Sequence, residues 1–354
     1  MNQLVEKQRK FFRTGETKSI EFRKVQLLKL KRIMKEMESE IMHALHQDLN
    51  KSPYESYLTE IGIVYSEIDV ALHHLKRWTK PNHKRTGLAN FPGRSETRFE
   101  PYGVVLVLSP WNYPFQLAIA PLIGAIAAGN CCICKCSKSS SNTTNLIRKI
   151  ITKTFPDKYV ACVDGDISYE EVLNEHYDYI FFTGSERVGK IVMKAASQYV
   201  TPISLELGGK SPCFVDASAD LYLTAKRLVW GKLLNAGQTC VAPDYVLVDN
   251  QVKAQLIHHI LECKERYYGD LCTNELYPKI INEDHFTRLT NLISEEKNKI
   301  GGNYDPDKRK IELTLFTEAN FDSEIMKEEI FGPILPIIGY DSLNEVIAHV
   351  VERP

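Results

Sequence analysis

The chain has 354 residues, 44% hydrophobic and 25% charged, and its 44 basic and 45 acidic side chains leave a formal net charge of −1. These values are ordinary for a folded globular protein and exclude wholesale disorder. The balance of charge offers no electrostatic footprint for nucleic acid or an anionic membrane. Single cores stop growing at about 250–300 residues, so two domains are expected; we place them at 1–207 and 208–354. No run reaches the ~18 apolar residues of a membrane span, and the Lys/Glu-rich amino terminus lacks the apolar core of a signal peptide. Nine cysteines, an odd count with no even-spaced framework, read as thiols in a reducing compartment. A cytoplasmic protein is expected.

Helices open the chain. Leu27, Leu30, Met34, Met37, Ile41 and Leu45 recur at intervals of three and four, which predicts one long helix with a single apolar stripe, ending near Asn50. The cations of 23–35 interleave with that stripe and read as its solvated face. A second helix starts at Ser52-Pro53-Tyr54-Glu55, with the serine as cap, the proline at the first helical position and the glutamate closing a capping box. It turns Leu58, Ile61, Val64, Ile68, Leu72 and Leu75 inward and runs to about Lys80, where Pro81 stops it.

From residue 100 short apolar runs alternate with helical stretches: 103–108 then 115–128, 131–134 then 139–151, 160–163 then 168–173, 179–182 then 185–197, and finally 203–206. This alternation predicts an α/β fold, a mostly parallel sheet covered by helices on both faces. Ligands of such sheets bind beyond the carboxyl ends of the strands. Ser109-Pro-Trp-Asn112, Lys135-Cys-Ser-Lys138, Thr183-Gly184-Ser185 and Glu206-Leu-Gly-Gly all follow strands, so these candidate groups share one rim.

The run Cys131-Cys132-Ile-Cys134-Lys-Cys136 contains a C-x-x-C spacing, but it reads as a buried strand. No second pair lies at a ligand spacing, and structural zinc wants four ligands. The pairs His73-His74 and His258-His259 have no acid-flanked i, i+4 histidine, and no metal site is expected. The turn at Gly184-Ser185 before a helix is either an ordinary cap or a phosphate cradle, since a helix start offers N–H groups and a positive dipole end. Asn112, held between Pro110-Trp111 and Tyr113-Pro114, is either a turn asparagine or a donor to an oxyanion. Cys240, in Asn235-Ala-Gly-Gln-Thr-Cys240-Val-Ala-Pro243, sits on a Gly/Gln/Thr-rich turn, and Glu206 ends an apolar run. A thiolate that attacks and a carboxylate that activates water are what covalent chemistry on a carbonyl needs.

Five segments together carry a resemblance: Pro110-Trp-Asn-Tyr-Pro114, Phe181-Phe-Thr-Gly-Ser185, Leu205-Glu-Leu-Gly-Gly-Lys-Ser-Pro212, Asn235-Ala-Gly-Gln-Thr-Cys-Val-Ala-Pro-Asp244 and Glu328-Glu-Ile-Phe-Gly-Pro333. In this order they resemble the aldehyde dehydrogenase superfamily, most of all its class 3 branch, which handles fatty and aromatic aldehydes. The resemblance implies a Rossmann-like parallel-sheet cofactor domain and an α/β catalytic domain. It implies oxidation of an aldehyde to a carboxylic acid with NAD or NADP through a cysteine thiohemiacetal and thioester. Cys240 then matches the nucleophile, Asn112 with the Cys240 N–H the oxyanion hole, and Glu206 the general base. The implied cofactor contacts are Ser109, Pro110, Trp111, Lys135, Ser137, Lys138, Gly184, Ser185, Glu186, Arg187, Val188, Gly189, Leu207, Gly208, Glu329 and Phe331. Lys135 matches the adenosine-ribose contact, and Glu329 and Phe331 the nicotinamide-ribose contacts.

The chain departs from its relatives twice. Where the family usually reads Lys-Pro-Ser-Glu, this chain reads Lys135-Cys-Ser-Lys138, and a lysine in place of the acid adds attraction for a 2′-phosphate. The sequence also ends at Pro354, after a last helix expected to turn Val346, Ile347, Val350 and Val351 inward, while relatives continue with further strands. A C-terminally incomplete fold is therefore expected, with homodimers if the missing part is present. A catalytically impaired remnant that serves as a binding or assembly protein is the alternative, and a cofactor-free thiol esterase a third reading.

Overall fold

The computed structural model describes residues 1–353; Pro354, the last residue of the expected second domain, lies outside the described residues. Contacts divide the chain into two compact units, one of 1–45 with 53–206 and one of 46–52 with 207–354. No helix among the described residues is long and apolar enough to cross a membrane.

In the first unit the expected long opening helix is two, Ile20–Glu36 and Glu38–Leu49, broken at Met37. A 3.5-residue apolar repeat drifts by about 20° per heptad on a straight helix, and the break renews its phase. Leu27, Leu30, Met34, Met37, Ile41 and Leu45 accordingly all stay buried. Arg23 corrects the solvated-face reading: it is buried and donates to the carbonyls of Thr17, Lys18 and Ala127. Its guanidinium lies against Gly129, whose φ of 91° and lack of a Cβ leave that space open.

The second predicted helix starts at Pro53, but its course from Tyr57 to Ile61 is a π-helical turn before it resumes at Gly62–Trp78. That turn carries the fully buried Glu60, whose carboxylate accepts from the N–H groups of Phe115 (2.8 Å) and Gln116 (3.1 Å). Helix Gln116–Ala128 has no cap from its own flanking residue, so Glu60 supplies the acceptor from a distant segment.

The strands of this unit are β1 (Val104–Leu108), β2 (Cys131–Lys135), β3 (Val160–Val163), β4 (Tyr179–Gly184) and β5 (Ile203–Leu207), in sheet order β3-β2-β1-β4-β5. β1 pairs in parallel with β2 and β4, and β2 with β3, with Leu108 level with Lys135 and Phe182. β1 and β2 are buried throughout, as strands covered on both faces must be. Strand order reverses direction between β1 and β4, the switch point at which open α/β sheets part their connecting loops.

The second unit is built on β6 (Pro212–Val215), β7 (Tyr245–Asp249), β8 (Lys299–Ile300), β9 (Thr314–Phe316) and β10 (Ile334–Tyr340), in order β8-β9-β10-β7-β6. All pairs are parallel except β8 with β9. Residues 46–52 belong here because Asn50 Nδ2 donates to the carbonyls of Glu275 and Tyr277, and Leu49 accepts from Lys279 N–H. The last helix, Leu343–Val351, differs from expectation: Val346 is buried, but Ile347 is 42% and Val351 77% exposed. Only part of its apolar face meets the core.

Candidate functional site

In the first unit Asn112, Lys135, Gly184 and Glu206 lie at the carboxyl ends of β1, β2, β4 and β5, one edge of one sheet. Ser109 continues the β1 ladder, donating its N–H to Lys135 C=O at 3.1 Å, and Asn112 is buried three residues later. Glu60 fixes the far side of the Pro110–Phe115 turn through the two bonds already described. The buried hydroxyl of Thr183 at the end of β4 has no hydrogen-bond partner among the described residues, while Ser109 after β1 faces the Cys136 thiol. An unpartnered buried hydroxyl at a switch point is open to a polar ligand.

Lys135 is buried; its Nζ donates to Gly165 C=O at 3.2 Å and stands 4.7 Å from the Tyr169 ring centroid. Burial pulls its ammonium below the usual lysine range. Ser137 turns the chain by accepting from Ser139 N–H, while Lys138 is exposed. The cysteine run is β2 itself, with Cys132 Sγ 3.8 Å from Cys134 Sγ, and Cys136 Sγ 4.0 Å from Cys162 Sγ.

At β4, a side chain on Gly184 would press into the Phe182 ring, so the turn into helix Glu186–Ser197 needs glycine. Ser185 precedes that helix without capping it by its side chain, and Glu186 is turned to Lys190 at 2.6 Å. Ser185, Glu186 and Arg187 are exposed, Val188 is half-buried and Gly189 is buried. The first-turn N–H groups thus receive no acceptor from Ser185. Glu206 is exposed at the end of β5, followed by the equally exposed Leu207 and Gly208.

In the second unit Cys240 is half-buried on a turn of unusual backbone. Helix Leu221–Leu233 leads into Asn235, Ala236 and Gly237, all left-handed, with φ of 51°, 53° and 74°. The conformation is sparsely populated for the first two and persists only where its surroundings impose it. Gln238 imposes it. This fully buried amide donates to Asn235 C=O (3.0 Å) and Lys279 C=O (3.1 Å) and accepts from Ile281 N–H (3.0 Å), while Asn235 Nδ2 donates back to Gln238 C=O.

Behind this turn lies a charged cluster that sequence reasoning did not find. Asp244 accepts from Lys210 Nζ at 2.5 Å and from Ile330 N–H at 3.0 Å, Lys210 also donates to Ile325 C=O, and Arg288 donates to Ile330 C=O at 2.6 Å. Ile330 is therefore gripped at both its N–H and its carbonyl, which holds its neighbours Glu329 and Phe331; Phe331 takes a φ of 51°. The Glu329 carboxyl rests on Gly208, where a Cβ would overlap it, and accepts from Gly209 N–H. Burial pushes that carboxyl up to about 7. Here the residues precede strands β6, β7 and β10, so this unit offers the amino edge of its sheet where the first offers the carboxyl edge.

The sequence profile of the Aldehyde dehydrogenase family matches residues 1–352. The chain belongs to the aldehyde dehydrogenase family. Among its relatives, the 4,4′-diaponeurosporen-aldehyde dehydrogenase of Staphylococcus aureus is 47% identical over 348 residues, 97% of this chain and 76% of that protein. Aldehyde dehydrogenase family 3 member B3 of Mus musculus is 42% identical over 97% of this chain and 72% of its own length. A solved structure of the substrate-bound state of Staphylococcus aureus AldH superposes with a TM-score of 0.97 at 46% identity, covering all of this chain and 79% of that one. The class 3 likeness and the α/β aldehyde dehydrogenase fold are thereby shown, and the family members matched are longer than this chain. More distant solved members of the family hold NAD+.

Proposed function

We propose that this chain oxidises an aldehyde to a carboxylic acid with NAD+ or NADP+, using Cys240 as nucleophile. The Cys240 thiolate adds to the aldehyde carbon; a C–S bond forms and the carbonyl electron pair moves to oxygen. Asn112 Nδ2 and the Cys240 backbone N–H donate to that oxyanion, a stabilisation worth roughly 10²–10³ in rate for one donor. When bound, the nicotinamide supplies the two-electron acceptor for the hydride that leaves as the C=O bond re-forms. Glu206 then takes a proton from water, whose oxygen adds to the thioester carbon; the C–S bond breaks, releasing acid and thiolate.

The N–H groups of 184–189 would receive the cofactor's phosphates, with Ser109, Pro110 and Trp111 at the switch point, Leu207 at the end of β5 and Gly208 just after it. Its adenosine ribose falls to Lys135, Ser137 and Lys138, and its nicotinamide ribose to Glu329 and Phe331. These residues fit such a group: the unpartnered Thr183 hydroxyl at the switch point and a helix start that Ser185 does not cap are available to phosphate and hydroxyl oxygens.

The observation that carries the reading is the Cys240 turn, a half-buried thiol three residues beyond a left-handed stretch, Asn235 to Gly237, that Gln238 locks in place. The test is reduced-cofactor absorbance with a medium-chain aldehyde and either NAD+ or NADP+. Aldehyde-dependent reduction that disappears in Cys240→Ala is expected. Reduction that persists in that variant overturns the nucleophile. Cofactor binding without reduction, in a folded chain, favours the impaired remnant.

A further inference from the structure

Cys132, Cys134 and Cys136 recur every second residue and share one face of β2, and Cys162 of β3, level with Cys134, joins them. The sulfurs of Cys132 and Cys134 lie 3.8 Å apart, those of Cys136 and Cys162 4.0 Å. Only the second pair suits a disulfide. Residues two apart on a strand hold their Cα atoms about 6.6 Å from each other, the outer limit for a bridge. Joining Cys132 to Cys134 would therefore pinch a buried strand that is paired on both sides. Cys136 instead lies one residue past the end of β2, and Cys162 is half-buried on β3, the edge strand of its sheet. Closing the remaining gap of about 2 Å moves a strand end and an edge, not the middle of the sheet. Cys136 also adjoins the proposed cofactor rim: it stands between Lys135 and Ser137, and its sulfur meets the Ser109 hydroxyl. Cys162, Ser109 and the Lys135 ammonium hold its thiol below the usual range against its burial, which favours the thiolate that attacks when a disulfide forms.

We propose that Cys136 and Cys162 form a redox pair which hydrogen peroxide closes to a disulfide, and that the closed form binds the cofactor's adenosine end more weakly. One sulfur takes an oxygen as the peroxide O–O bond breaks, and the displaced hydroxide leaves as water with that thiol's proton. The other sulfur attacks the sulfenic acid; the S–S bond forms, the S–O bond breaks and a second water leaves with the second proton. Two thiols thereby give two electrons to one peroxide. The bridge draws Cys136 toward β3 and away from Ser109, shifting Lys135 and Ser137 on either side of it. The weaker binding rests on the ribose reading of Lys135, Ser137 and Lys138; the bridge does not.

The experiment treats wild type and C240A with hydrogen peroxide, blocks the remaining thiols with N-ethylmaleimide in denaturant and digests with trypsin without reduction. Cleavage after Lys135, Lys138, Lys158 and Arg187 leaves Cys136 in peptide 136–138 and Cys162 in 159–187, apart from Cys131, Cys132 and Cys134 in 99–135. The expected product joins 136–138 to 159–187, separates on dithiothreitol and is absent from C162S. Its absence from wild type whose Cys240 is oxidised, or a bridge confined to 99–135, overturns the pair. Should C162S fail to fold, the dithiothreitol-reversible link in wild type decides alone. In C240A the proposed nucleophile's own oxidation does not enter, and fluorescence titration should show NAD+ and NADP+ affinity roughly tenfold weaker after peroxide. Dithiothreitol should recover it, and the double variant with C162S should not lose it. A bridged chain of unchanged affinity overturns the weaker binding. A reduced chain that binds neither nucleotide defeats the ribose reading instead, and the peptide masses still decide whether the bridge forms.

Discussion

In the proposed reaction a donor aimed at a developing charge, a base beside a thioester and a cation beside a ribose would each act through one side chain, and Lys138 is the clearest case. It is exposed and directly follows Ser137, whose hydroxyl turns the chain at the end of β2. An acid at that place repels a 2′-phosphate and accepts from a 2′-hydroxyl; a lysine reverses the first effect and forfeits the second. NADP+ should therefore be used at least as well as NAD+. Steady-state kcat/KM for the two nucleotides reads this directly, with Lys138→Glu expected to shift the ratio toward NAD+ by roughly tenfold. A wild-type preference of tenfold or more for NAD+ would count against the role of Lys138. This departure was visible in the sequence because it changes the sign of one charge in a recognisable run. Lys232 was not singled out, although a lysine flanked by Trp230, Leu233 and Leu234 was on view; its burial, with its ammonium 3.9 Å from Asp244, is a matter of three-dimensional packing.

At the scale of elements, the turn before Cys240 depends on Gly237. A methyl group there would overlap the carbonyl oxygen of Gly332, and the φ of 74° is unfavourable for any residue with a Cβ. Gly237→Ala should lower stability by about 1–3 kcal/mol, seen as a lower urea midpoint, and should slow thiol labelling of Cys240 or disperse its rate. An unchanged midpoint and labelling rate would mean the turn is not held as tightly as its bonds suggest. The glycine and the cysteine were legible in the motif, but the lock was not, since Gln238 reaches Lys279 and Ile281 some forty residues on. The strands of the first unit were legible for the opposite reason. Strands buried on both faces read as continuous apolar runs, and β1 and β3 begin and end within a residue of expectation. The break at Met37 leaves its apolar stripe intact and so leaves no mark in periodicity, whereas the π-helical turn at Tyr57–Ile61 leaves Leu58, expected inward, exposed. Beyond Glu206 strands as short as Lys299–Ile300 carry too few residues to show a period.

For the molecule as a whole, the charged cluster links stability to pH. Glu329 is raised from the ordinary carboxylate range to about 7, so in that window the folded chain holds a proton that the unfolded chain has released. Its contribution is fully present below the carboxylate range and is lost as pH rises toward 7. Compared with Glu329→Gln, the wild type should lose about 1–2 kcal/mol between roughly pH 5 and 7, less than the full shift implies because the carboxyl is partly solvated. Parallel urea curves for the two proteins at both pH values would contradict the burial assigned to Glu329. The cluster escaped the sequence because Lys210, Lys232, Asp244, Arg288 and Glu329 come from separated segments, and although Lys210 and Asp244 also lie in the quoted motifs, only Glu329 was assigned a role there. The central claim is that turnover passes through an acyl group on Cys240 that water removes with the help of Glu206. Intact-mass and peptide mass spectrometry of Glu206→Gln, quenched after mixing with aldehyde and NAD(P)+, tests it most directly. An acyl adduct on the Cys240 peptide, formed with one equivalent of reduced cofactor and slow to hydrolyse, is the predicted result. Reduced cofactor at the wild-type steady-state rate with no adduct on Cys240 would contradict it.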